Sequence, residues 1–82
     1  MKKFTKYDIR VIIENKEFDF NREERFETEK EVTDYIRKSL GEVEADAYFE
    51  RKSIEGFRIT ETFVTKGLHK FLVTIIDQRI GF

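Results

Sequence analysis

The sequence has no cysteine, no proline and no tryptophan, a single histidine, and four glycines that stand alone. Without cysteine there is neither a disulfide framework nor a thiolate metal site. That composition suits a reducing cytoplasm, the expected location. Isolated glycines leave no Gly-rich loop to cradle a phosphate. Any His-dependent catalytic or metal arrangement must use His69, and Ser39 and Ser53 lack the flanking glycines of a nucleophile elbow. No apolar run approaches the ~20 residues needed to span a bilayer. Met1-Lys2-Lys3 leads into Thr5, Lys6, Asp8 and Arg10 rather than into a leader-type apolar stretch. These absences predict a chain that is not an enzyme, with no cofactor, no metal, no small-molecule substrate and no membrane segment.

What is present is charge and aromatic mass. Charged residues make up 40% of the 82, yet the net charge is only −1, and nine Phe and three Tyr supply most of the apolar bulk. Aromatics with periodic Ile and Val indicate a folded chain despite the charge, and the length fits one domain spanning 1–82. Residues 1–50 hold 14 acids against 10 bases, whereas residues 51–82 hold 3 acids against 6 bases. The acids are densest from Glu14 to Asp34, a stretch that repels phosphate and favours a basic partner. The plainer reading of such a stretch is a solvated face.

Tyr7 to Ile13 and Glu17 to Asn21 alternate as strands, and a two-residue turn at Asn15-Lys16 pairs Ile13 with Phe18 and Val11 with Phe20. Asn21 to Glu27 reads as a charged connection. Thr28 with Glu31 matches a capping box. Val32, Ile36 and Leu40 then give one apolar stripe of a helix over about 29–40, with Gly41 as its terminator. Val43 to Ser53, Phe57 to Thr65 and His69 to Ile76 read as three further strands, and Ile80-Gly81-Phe82 as a tail. An odd-length loop at Lys66-Gly67-Leu68 sets Phe63 against Phe71 and Ile59 against Ile75, and places Glu61 across from Val73. The expected fold is α+β in the order β-β-α-β-β-β. A largely antiparallel sheet, built from an N-terminal hairpin and a C-terminal three-stranded meander, carries one helix on one face.

Function is read from what remains uncovered. The run His69 to Ile76 is apolar on both faces, and one helix covers only one of them. Leu72 and Ile76 are therefore expected on an exposed apolar face, with Val64, Ile12 and Tyr48 as neighbours, and such patches usually mark interfaces. The leading expectation is a small protein-interaction module. It would form a homodimer packed sheet to sheet, or bind a larger protein through the apolar face or through Glu23, Glu24, Glu27 and Glu31. Short, cysteine-free, charge-rich chains suit accessory or inhibitor proteins of phages and mobile elements. The alternative is nucleic-acid binding by Arg51, Lys52, Arg58, Lys66 and Lys70 with interleaved Phe57, Phe63 and Phe71. Gly56-Phe57-Arg58-Ile59 resembles the centre of an RNA-recognition-motif strand. It departs at Glu55 and Arg58, and the element order departs from that fold.

Overall fold

The computed structural model describes residues 7–43 and 46–79. Five strands form one antiparallel sheet: β1 (Ile9–Asn15), β2 (Phe20–Phe26), β3 (Tyr48–Glu55), β4 (Arg58–Val64) and β5 (Lys70–Asp77), with helix α1 (Glu29–Val43) between β2 and β3. The strand order is β2-β1-β5-β4-β3, so the N-terminal hairpin joins the C-terminal meander through β1 and β5. The α+β class, the element order and the meander are as the sequence predicts.

Helix α1 forms because its stripe meets an apolar sheet. Glu31 N donates to Thr28 Oγ1 at 3.3 Å, and Glu29 and Glu31 occupy the positive end of the helix dipole. Val32, Ile36 and Leu40 are buried against Ile9, Val11 and Ile13 of β1 and Phe71, Val73 and Ile75 of β5. Phe20, Phe26, Tyr35 and Val43 pack around that cluster. The helix runs on through Gly41, contrary to the expected stop there. The last turn is held by Val43 on the core and by an ion pair from Arg22 Nη1 to Glu42 Oε2 at 2.6 Å.

The N-terminal hairpin exists, but its register differs from the expected one. Ile13 faces Arg22, Val11 faces Glu24 and Ile9 faces Phe26, across a turn at 16–19. Asn15 is buried and closes that turn from inside: its Oδ1 accepts from Phe18 N at 2.7 Å and its Nδ2 donates to Lys70 O at 2.6 Å. Asp19 takes φ 51°, a left-handed conformation that Asp tolerates better than most residues. The charged stretch expected as a connection is thus strand β2. It lies at the sheet edge with Asn21 to Arg25 exposed, so it carries no apolar alternation.

The β4–β5 register agrees with the like-with-like reading: Phe63 faces Phe71, Glu61 faces Val73 and Ile59 faces Ile75. Strand β3 starts at Tyr48, so Val43 ends the helix rather than opening a strand, and a register shift between Phe49 and Arg51 marks a bulge. Asp46 lies in a turn and accepts from Lys66 N at 3.0 Å, while Glu44 and the tail from Ile80 lie outside the described residues.

Candidate interaction surfaces

The helix lies on β1 and β2, and the buried cluster extends only as far as β5. The β3–β4 hairpin therefore projects past it, and the molecule measures 50 × 22 × 21 Å. Two differently built ends result.

At the β2 end, Glu23, Glu24 and Glu31 line one shallow depression together with Tyr7, Phe26 and Tyr35, and Arg25 is its one cation. Adjacent strand residues point to opposite faces, so Glu23 and Glu24 flank the β2 edge from both sides. Glu31 reaches it from the first turn of α1. Phe26 and Tyr35 belong to its lining, their ring centroids 5.1 Å apart. Arg10 Nη2 donates to Glu23 Oε2 at 3.0 Å, and this bonding holds the Glu23 carboxyl below the usual carboxylate range and the Arg10 guanidinium above its own. Glu27 lies outside the depression. Its carbonyl accepts from Arg79 Nη1 at 3.2 Å, in the link between β2 and α1.

Arg79 also clamps Asp77. The buried Asp77 carboxylate accepts from Arg79 N and Nε on one oxygen, at 3.0 and 2.9 Å, and from Nη2 on the other at 2.9 Å. These bonds pull the Asp77 pKa below its ordinary value, the side-chain bond outweighing the opposing effect of burial. Arg79 ties the end of β5 to the start of the helix.

The sheet face away from the helix is less apolar than the sequence suggests. Leu72 is 41% exposed, but its cross-strand neighbours are Glu14 and Thr62, and half-buried Ile76 lies between Arg10 and Arg58. Thr74 lies between Ile12 and Thr60. Val64 is buried and Tyr48 exposed. Arg51, Arg58 and Lys70 share this open face. Lys52 lies on the helix side opposite Glu61, and Lys66 is in the β4–β5 loop. The exposed Phe49 ring packs edge-on against Phe63, at 5.8 Å, on the helix side. Lys52 thus shares the helix side with Phe49 and Phe63, whereas Arg51, Arg58 and Lys70 have the exposed Tyr48 on their own face.

Two features were not anticipated. All eight residues of β3 are exposed, and Tyr48, Phe49, Ile54 and Phe57 gather a large share of the exposed apolar side chains on the projecting hairpin. The bulge hid this pattern by breaking the alternation after Phe49. At the other end of β5, His69 packs tilted against Phe18, with ring centroids 4.3 Å apart, and its Nδ1 bonds Glu17 Oε2, joining the β1–β2 turn to the β4–β5 loop. Gly67 makes room for that ring, since a Cβ there would lie 2.9 Å from His69 Cδ2. Sequence alone does not show that His69 and Glu17, 52 positions apart, meet.

Among the described residues no group of three or more His, Cys, Asp or Glu is arranged to hold a metal, and no helix is long and apolar enough to cross a membrane. Compared with known protein families, curated proteins and solved structures, the chain matches none.

Proposed function

We propose that the chain is a small non-enzymatic protein-interaction module that takes a lysine or arginine side chain of a larger protein on its acidic, aromatic β2–α1 surface. One observation carries this reading. Glu23, Glu24 and Glu31, spread over nine positions of sequence, line one depression together with the rings of Tyr7, Phe26 and Tyr35. With Glu23 held by Arg10, the Glu24 and Glu31 carboxylates attract a cation over several ångströms and steer its approach. A cation resting on an exposed ring adds about 0.5–1 kcal/mol. Together they select a basic side chain over an acidic or apolar one. Such a module suits the accessory or inhibitor role in a phage or mobile element that the composition suggests, with the acidic end set against a basic groove.

Nucleic-acid binding is less well supported. Stacking needs several rings beside the cations, and here the candidate cations are divided: Arg51, Arg58 and Lys70 share a face with Tyr48, Lys52 lies with Phe49 and Phe63 on the other, and Lys66 is in a loop.

The test is fluorescence anisotropy with a labelled Arg/Lys-rich peptide and an acidic control. Binding of the basic peptide alone, weakened by salt and lost in Glu24→Lys/Glu31→Lys, supports the reading. Equal binding by the double variant contradicts it.

A further inference from the structure

We propose that the free edge of β3 joins two copies of this chain, paired antiparallel about a two-fold axis at Ser53. Strand β3 ends the sheet, and among the described residues no element lies against its outer side. This contact uses none of the acidic surface, which lies at the opposite edge.

The hairpin loop sets which backbone groups are available. Gly56-Phe57 is a two-residue loop with Gly56 at φ +56° and Phe57 outside the left-handed region, the pattern of a type II′ turn. Such a loop closes on a hydrogen-bonded pair, here Glu55 and Arg58. Alternation along the ladder then turns Ser53 and Arg51 toward Thr60 and Thr62, and leaves the N–H and C=O of Lys52 and Ile54 pointing outward. With the axis at Ser53, Lys52 of one copy faces Ile54 of the other, so both partners present free groups.

The side chains agree with that register. On the open face Arg51 faces Glu55 of the second copy, twice by symmetry, and the small Ser53 faces itself on the axis. On the helix side the exposed Ile54 lies along the apolar stem of Lys52, and the Phe57 end of one hairpin reaches the Phe49 end of the other. Registers centred on Arg51 or Lys52 set like charges face to face. One centred on Ile54 leaves Arg51 without a carboxylate. Registers centred between residues oppose the two faces of the strand. The bulge after Phe49 ends the ladder on one side and the turn ends it on the other, so the contact closes as a dimer rather than growing. Edge strand β2 offers no equivalent, because a two-fold axis at any of Arg22, Glu23, Glu24 or Arg25 sets that charge against its own copy.

Sedimentation equilibrium tests the pairing. The wild-type chain is expected at twice 9.9 kDa. Ile54→Pro removes an outward donor that the β3–β4 ladder does not use, and is expected to halve the mass with an unchanged circular dichroism spectrum. Glu55→Arg is expected to dissociate the dimer, and Arg51→Glu/Glu55→Arg to restore it, which keeps the test decisive if the proline variant misfolds. A single-chain mass for wild type at the highest soluble concentration overturns the proposal. So does a dimer that survives both Ile54→Pro and Glu55→Arg, or one that Leu72→Lys dissociates, which moves the contact to the open face.

Discussion

The two edges of this sheet are both exposed strands, yet they are managed in opposite ways. Strand β2 is backed by the helix, flanked by the Phe20, Phe26 and Tyr35 rings, and charged on both faces from Arg22 to Arg25. Strand β3 has no helix behind it, and Ile54, at 63% exposure, lies beyond the buried cluster. The β2 edge is guarded against strand addition by its charges and presents side chains instead. The β3 edge also carries charges, Arg51, Lys52 and Glu55 among them, but the small Ser53 and the exposed Ile54 lie between them and a bulge stands at one end. The covered half supplies the fold, and the two ends expose different groups.

The largest effect that sharpens this contrast compares two phenylalanines. Phe71→Ala, in the covered half, is expected to cost about 3–5 kcal/mol by urea unfolding. Phe49→Ala, on the projecting hairpin, is expected to stay within about 1 kcal/mol, as exposed positions do. Equal costs would mean that the hairpin belongs to the core.

Next comes the Asp77–Arg79 clamp, which joins the core strand β5 to the helix. Asp77→Asn loses the charge-assisted pair and is expected to cost about 1–3 kcal/mol. Because the folded-state pKa of Asp77 is depressed, its contribution is fully present above the ordinary value of about 4 and is lost as pH falls through the lower folded-state value. The asparagine variant is therefore expected to show a flatter acid limb in a stability–pH profile. An unchanged limb would assign the acid sensitivity to other carboxylates.

The smallest effect concerns the β4–β5 loop. Leu68 sits at φ 63° and is 76% exposed, so it bears backbone strain without burial to offset it. Leu68→Gly is expected to stabilise by about 1 kcal/mol, read as a higher urea midpoint. A loss of stability would show that the side chain makes a contact worth more than the strain.

The parts of the fold that were legible in the sequence are those where apolar periodicity meets burial on one side. Val32, Ile36 and Leu40 mark the helix, and pairing like with like across Lys66-Gly67-Leu68 gives the β4–β5 register. The N-terminal register was not legible, because a buried Asn15 closing a turn from inside looks like an ordinary turn residue. Strand β2 was hidden for a related reason: an edge exposed along its middle has no apolar face to alternate. At the candidate site, Glu23, Glu24 and Glu31 were visible as acids, but their meeting with Tyr7, Phe26 and Tyr35 depends on how the helix crosses the β2 edge. Leu72 and Ile76 were visible as apolar, but their polar cross-strand neighbours were not.

Reception of a basic protein side chain by the acids and rings of the covered end is the proposal to test first. Backbone amide shifts of the isotope-labelled chain, followed while an Arg/Lys-rich peptide is added, test it directly. Saturable, salt-sensitive shifts are expected at Glu24, Phe26, Glu31 and Tyr35, with β3 and the open face unmoved. Shifts centred on Arg51, Arg58 or Leu72, or none at all, would contradict it.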